Sequence, residues 1–133
     1  MRDIVFPFLF VVSLLAPPSS LLASPHSDQA TAAWAKRDQA GQTEEAIRLW
    51  QEALKGEPQN THHWISMAKA MGRAVRRAPD TQEKRAWAEK ARAAAEEAVK
   101  LSPKSSDALA VYGEAMGQWA NSRKNMRSLG AVK

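Results

Sequence analysis

The side chains best suited to metal or acid–base chemistry in this sequence are three histidines, and their spacing argues against both roles. His62 and His63 are adjacent, while His26 lies far from them in the sequence. Consecutive residues of a helix point about 100° apart, so the rings of His62 and His63 do not converge easily on one ion. We therefore expect the histidines to pack in the fold or to lie at its surface.

Other motifs that carry catalytic chemistry are missing from the sequence. The chain has no cysteine, which excludes disulfides, thiolate metal sites and a cysteine nucleophile. No G-x-S-x-G, Walker loop or G-x-G-x-x-G is present. The carboxylate pairs Glu44-Glu45 and Glu96-Glu97 fall on solvent-facing sides of predicted helices. The sequence thus predicts a protein that is not an enzyme and that uses no metal or cofactor.

Five tryptophans would suffice for an aromatic cage around a ligand, but their spacing favours packing. They occupy positions 34, 50, 64, 87 and 119, and each falls on the apolar side of a predicted helix. Large aromatic side chains at such positions are typical of a core. We expect the tryptophans to pack between helices.

The elements that position these residues are predicted to be helices only. Good helix formers dominate the composition, and no segment alternates apolar with polar residues. Five helices are expected, over residues 28–39, 43–55, 61–78, 80–101 and 106–121. Thr43 is the expected N-cap of the second helix, and Asp80 with Glu83 has the spacing of a capping box at the fourth.

Each predicted helix has an apolar side at helical spacing. The first places Ala30, Ala33, Trp34 and Arg37 on one side. On the second, third and fourth helices the apolar sides are Ala46, Leu49, Trp50, Ala53 and Leu54; Trp64, Met67, Ala68 and Met71; and Trp87, Ala91, Ala94, Ala95 and Ala98. The fifth helix is expected to pack through Leu109, Tyr112, Gly113, Met116 and Trp119. A basic tail, residues 122–133, is predicted to be disordered.

The first 23 residues have the layout of a secretory signal peptide. Arg2 precedes an apolar stretch from Ile4 to Ala16, a Pro17-Pro18 break follows, and Ala23 is a plausible last residue before cleavage. The stretch is shorter than the roughly 20 residues that span a membrane. We expect a periplasmic or secreted protein with a linker over 24–27. The alternative is a protein held at the membrane by an uncleaved signal anchor.

The charge balance leaves two kinds of partner open. The net charge is +5, with both signs interleaved along the chain, which is typical of a solvated surface. The alternative is a cationic binder of anionic membrane or nucleic acid that uses the tail with Arg73, Arg76 and Arg77. The position of these arginines near a helix C-terminus already favours their charge through the helix dipole.

Two segments repeat one spacing of small residues and proline. Ala46, Trp50, Ala53 and Pro58 are separated by the same steps as Ala91, Ala95, Ala98 and Pro103. A helix with a large residue follows each proline. The pattern resembles the tetratricopeptide repeat, and Gln42 to Pro58 matches its second helix. The resemblance implies a short right-handed solenoid of antiparallel helix pairs over residues 28–121, which binds a protein partner as a scaffold.

The spacing of the two prolines departs from that repeat. They lie 45 residues apart, 11 more than the usual 34, and the extra residues fall around Arg76 to Arg85. His62-His63-Trp64, the segment from Ala98 to Lys104, Gly113 and Trp119 are similar to the regulator-of-microtubule-dynamics family and its bacterial relatives. A microtubule role is not carried over to an exported protein.

The resemblance also implies where a partner would bind. In such repeats the first helix of each pair lines a concave groove. The residues expected there are His62, Ile65, Ser66, Lys69 and Arg73 on the third helix, and Ala110, Glu114, Gly117 and Gln118 on the fifth. The lysine–asparagine pattern that clamps a peptide carboxylate is absent. Lys69 and Arg73 are like charges four residues apart, which suggests an acidic counterpart in the fold or in a ligand. The alternative is that both side chains extend into water.

Overall fold

The backbone consists of five α-helices and no strand over residues 25–132, which the computed structural model describes, with side chains up to residue 124. The helices are α1 (Pro25–Ala35), α2 (Gln42–Gly56), α3 (Thr61–Arg77), α4 (Thr81–Leu101) and α5 (Ser106–Val132). The predicted all-α class is confirmed. The predicted signal peptide and its boundary at Ala23 lie outside the described residues.

Side-chain caps explain where α3 and α4 begin, whereas a glycine precedes α2. Asp80 caps α4 by accepting a hydrogen bond from Glu83 N at 2.8 Å, as the sequence predicted. Asn60 caps α3 in the same way, with His63 N as donor at 3.2 Å. Thr43 is not the N-cap of α2: Gly41 precedes that helix with a φ of 79°, which glycine adopts without strain. The buried Thr43 hydroxyl instead donates to Arg37 O at 3.4 Å.

Each helix packs on the next, and α3 packs on α5 as well. The connections are short, residues 36–41, 57–60, 78–80 and 102–105, so successive helices reverse direction. α3 is therefore the central element, with α2, α4 and α5 around it. No helix within residues 25–132 is both long enough and apolar enough to cross a membrane.

The core is built largely from alanine, together with Trp50 and the methionines of α3. The expected packing residues of α2 are all buried, and so are Ala91, Ala94, Ala95 and Ala98 of α4. Met67, Ala68 and Met71 of α3 are buried with them, while Trp64 and Trp87 pack against the core and stay partly exposed. Small side chains let the helix backbones approach closely, and this fits the alanine-rich composition.

The predicted packing side of α5 is wrong in part. Leu109 is 48% exposed and Gly113 is exposed, whereas Ala108, Val111 and Ala115 are buried against α3 and α4. Tyr112 packs against the core, and Met116 and Trp119 are partly buried. α5 also continues beyond Asn121, where the sequence predicted that the helix ends.

The first helix likewise differs from its predicted bounds. It begins at Pro25 and ends at Ala35, so Arg37 lies in the following turn. The Arg37 guanidinium there stacks over the Trp34 ring, 4.8 Å from its centroid. Ala30 and Ala33 are buried as expected.

Candidate partner-binding face of α3 and α5

Four of the predicted partner-binding residues lie on one side of α3. His62, Ser66, Lys69 and Arg73 are spaced by four, three and four residues, which places them along one helical stripe. We call these four residues the α3 face. His62 and Lys69 are exposed, while Ser66 and Arg73 are partly buried. The structure therefore presents a polar strip about 16 Å long, at 1.5 Å per residue.

Arg73 is held by an acidic residue of the fold. Its Nη2 donates to Asp38 Oδ1 at 2.6 Å, and this ion pair joins α3 to the α1–α2 turn. The acidic counterpart that the sequence predicted for the Lys69–Arg73 pair is therefore present for Arg73 within the chain. Sequence spacing gave no signal for Asp38, because it lies 35 residues away in a turn.

Two further contacts join α3 to α5 beside the α3 face. Arg76 donates to Glu114 at 3.0 Å, and Gln118 Nε2 donates to Gly72 O at 3.2 Å. A Cβ on Gly72 would lie 3.3 Å from Gln118 Oε1, so the glycine leaves room for this side chain. Glu114 and Gln118, both predicted as partner-binding residues, thus lie next to α3 and also hold α5 in place.

The other predicted groove residues divide between the core and the far side of α5. Ile65 is only 8% exposed and belongs to the buried cluster, because α5 packs beside it on α3. It is therefore not available as a contact residue. Ala110 and Gly117 are exposed, but helical spacing puts them on the side of α5 away from the buried Val111 and Ala115.

Lys69 differs from the arginines beside it. Within residues 25–124, Arg73 and Arg76 each have a carboxylate partner, and Lys69 has none within ion-pair distance. Its exposed ammonium lies between the exposed His62 and the Asp38–Arg73 pair along the strip. The face therefore offers one unpaired cation on a helix that is fixed on both sides.

A polar cluster at the α2–α3 turn fixes the start of the α3 face. His63 is buried and donates from Nε2 to Glu57 Oε1 at 2.8 Å, and Asn60 Nδ2 donates to the same oxygen at 3.1 Å. These hydrogen bonds, with that of Asn60 first, lower the pKa of the Glu57 carboxyl. Trp64 Nε1 adds a hydrogen bond to Pro58 O at 2.8 Å. The cluster orients the helix on which His62 lies.

Two ring pairs involve the histidines and tryptophans of residues 25–124. The rings of His62 and His63 lie 6.3 Å apart and are tilted by 57°, and residues 25–124 hold no group of three metal-ligating side chains. Trp34 and Trp50 form one edge-to-face pair at 6.4 Å. Of the five tryptophans, Trp50 is buried and the others are partly exposed.

A second cluster of charged and aromatic groups joins α4 to α5. Trp119 Nε1 donates to Glu89 Oε2 at 2.8 Å, and the guanidinium groups of Arg92 and Arg123 lie 5.3 and 5.0 Å from its ring centroid. Arg92 also donates to Glu89 at 3.1 Å. The hydrogen bonds from Trp119 and then Arg92 lower the pKa of Glu89. This cluster fastens the two helices together.

Comparison with models of protein families finds none that matches this chain, and comparison with curated proteins finds no match either.

Proposed function

We propose that this chain is an exported scaffold of the tetratricopeptide-repeat type, which binds a protein partner through the α3 face and the adjoining residues Glu114 and Gln118. The observation that carries the proposal is the unpaired Lys69 on a rigid polar strip, beside arginines that already have partners. A preorganised surface of this kind loses little conformational entropy when it binds.

Two features of the helix arrangement support a repeat solenoid. Short turns connect successive helices, and α3 packs on α5, two helices further along the chain. In a stack of helix pairs, the first helices of neighbouring pairs lie side by side. The ion pair between Arg73 and Asp38 also joins two parts of the fold that are not adjacent in the chain, the α1–α2 turn and α3. A right-handed arrangement is part of the proposal.

The chemistry of the α3 face favours a partner segment that carries carboxylates. Lys69 supplies a point charge, and the exposed His62 and partly exposed Ser66 supply hydrogen-bonding groups along the same strip. An extended acidic segment would place carboxylates near Lys69. Because the site is exposed, we expect the charge to steer association and the interaction to weaken as salt rises.

Reversing the charge of Lys69 tests the site. Lys69→Glu should weaken capture of the partner from the native envelope fraction by about three- to tenfold, about 0.6–1.4 kcal/mol, as for a single exposed charge. Lys104→Glu, which changes an exposed lysine in the α4–α5 turn, is the matched control and should leave capture unchanged.

Equal capture by the two variants would contradict the proposed site, provided that both keep the wild-type circular dichroism spectrum. A loss of capture in both variants would indicate a response to net charge instead of a site at Lys69. The capture is then repeated with two peptides in place of the envelope fraction, one acidic and one with amides at the same positions. The difference between the two peptides shows whether Lys69 recognises negative charge.

Export is a separate part of the proposal and has its own test. The apolar segment and small residue before Ser24 predict cleavage near Ala23. The intact mass of the protein recovered from the periplasm or medium should correspond to a chain without its first 23 residues. A full-length mass in the membrane fraction would instead support the uncleaved anchor.

The alternative function, binding to anionic membrane or nucleic acid, has less support from the contacts of α3. The sequence predicts that it uses the basic tail with Arg73, Arg76 and Arg77, but Arg73 and Arg76 already pair with Asp38 and Glu114. Arg77 is the one of the three without an ion-pair partner among residues 25–124. Binding of the purified protein to anionic vesicles or DNA would favour this alternative.

A further inference from the structure

The side of α5 that faces away from the rest of the molecule is apolar and small. It carries the exposed Leu109, Gly113, Gly117 and Ala120 and, at its edge, the partly buried Met116, and we call these residues the α5 stripe. These residues lie opposite the buried Ala108, Val111 and Ala115 by helical spacing. Leu109 and Leu101 are the two large apolar residues that are exposed within the described part of the chain. A solvent-facing helix surface usually carries charged residues at such positions.

The two glycines of the stripe have no packing reason within the chain. A Cβ on Gly113 or Gly117 would meet nothing within 4 Å, and neither residue has a positive φ. Glycine inside a helix is less favourable than alanine, and here no contact within residues 25–124 accounts for it. Their absent side chains leave room for another backbone to come close from outside.

A knob and a recess lie on the same side of α5. Leu109 projects at one end of the stripe, and a recess of about 470 Å³ lined by Trp119, Ala120, Arg123 and Lys124 lies at the other. Leu109 and Ala120 are 11 residues apart, just over three full turns, so they point in nearly the same direction. Two such helices placed antiparallel would set each Leu109 against the recess of the other.

The charges of α5 favour the same antiparallel arrangement. Asp107 lies in the first turn of α5, before the stripe, and Arg123 and Lys124 lie after it. A parallel pair would align like charges, whereas an antiparallel pair sets Asp107 of each helix near Arg123 and Lys124 of the other. The glycines then lie near the crossing point, where the backbones approach most closely.

We infer that the α5 stripe is the contact surface for a second copy of this chain, with the two α5 helices antiparallel about a twofold axis near Gly113 and Gly117. A surface that is complementary to itself under a twofold rotation closes into a dimer and does not continue into a filament. The α3 face lies apart from the stripe, so each subunit keeps its proposed partner-binding face.

Sedimentation of the protein expressed as the full chain tests the dimer. We expect twice the mass of one chain for wild type and the mass of one chain for Leu109→Glu, with equal helical content. Leu101→Glu, at the other exposed leucine but outside the stripe, is the matched control and should stay dimeric. A wild-type monomer at every concentration, or a dimeric Leu109→Glu variant, would overturn the inference.

Cysteine cross-linking tests the direction of the helices, since the natural chain has no cysteine. The double variant Leu109→Cys with Ala120→Cys should give a disulfide-linked dimer on mild oxidation. Within one helix these positions are about 16 Å apart, too far to join to each other. Leu109→Cys alone should stay unlinked. A linked dimer of this single variant would show a parallel pair and contradict the arrangement.

Discussion

The tryptophans near the two ends of the row of helices differ in their burial and in their contacts. At one end Trp50 of α2 is 3% exposed and meets the edge of Trp34 from α1. At the other end Trp119 of α5 is partly exposed and is held by Glu89, Arg92 and Arg123. Nothing else among the described residues covers the outer side of α5. α2, in contrast, packs against α1 and against α3.

The contrast also separates two kinds of stabilisation. Trp50 contributes through the apolar area that it removes from water, which is proportional to burial. Trp119 contributes through a hydrogen bond to a charged acceptor and through cation–π contacts, both of which solvent weakens at an exposed site. Substitutions at the two ends should therefore differ in size and in their dependence on pH.

The largest effect is expected for Trp50→Ala. Truncation of a large aromatic side chain in a core lowers the free energy of unfolding by about 3–5 kcal/mol. Urea unfolding followed by circular dichroism measures it. The same truncation at the open end, Trp119→Ala, is the matched comparison and should cost about 1–2 kcal/mol, because less area and one hydrogen bond are lost. Equal losses at both positions would mean that the ends are packed alike.

A smaller effect is expected for Trp119→Phe. This change keeps an aromatic ring for Arg92 and Arg123 but removes the Nε1–H that donates to Glu89. The unfolding free energy should fall by about 1 kcal/mol, since the acceptor is charged but partly exposed. Trp64→Phe, which removes the hydrogen bond to the neutral Pro58 carbonyl, should have a smaller effect in the same unfolding measurement. A larger loss at Trp64 would contradict the role of the Glu89 charge.

The pH dependence of Glu89 gives the smallest effect. Its pKa is lowered from 4.5 in the folded state, first by the Trp119 hydrogen bond and then by Arg92. A lowered pKa stabilises the fold above the unfolded pKa, and this stabilisation is lost as the pH falls through the folded pKa. The difference in unfolding free energy between wild type and Glu89→Gln should therefore shrink as the pH falls below about 4.5.

Comparing wild type, Glu89→Gln and Trp119→Phe tests whether Glu89 is the acid-sensitive group. Trp119→Phe should show a weaker pH dependence than wild type in the same range, because the largest cause of the lowered pKa is gone. A pH dependence of wild type that Glu89→Gln leaves unchanged would place the acid-sensitive group elsewhere, with Glu57 of the α2–α3 turn the next carboxyl to replace.

The sequence alone was sufficient to predict the helices that have one clearly apolar side. Ala46 and Trp50 on α2 and Ala91 and Ala95 on α4 lie opposite charged residues, so only one side of each helix is suited to burial. The N-cap role of Asp80 could also be predicted from the sequence. Its carboxylate accepts a hydrogen bond from the backbone N–H of Glu83, which is only three residues away. These features depend either on contacts between residues that are close in the sequence or on the periodicity of a single helix.

The side of α5 that is buried was decided by tertiary packing. Both sides of this helix are apolar or small, so Leu109 and Gly113 look as suitable for a core as Val111 and Ala115 do. Only the positions of α3 and α4 distinguish them. The same holds for the α3 face, where Asp38 neutralises Arg73 from a turn 35 residues away and Lys69 is left unpaired. Sequence periodicity shows which side of a single helix is apolar, whereas such pairings depend on where the other helices lie.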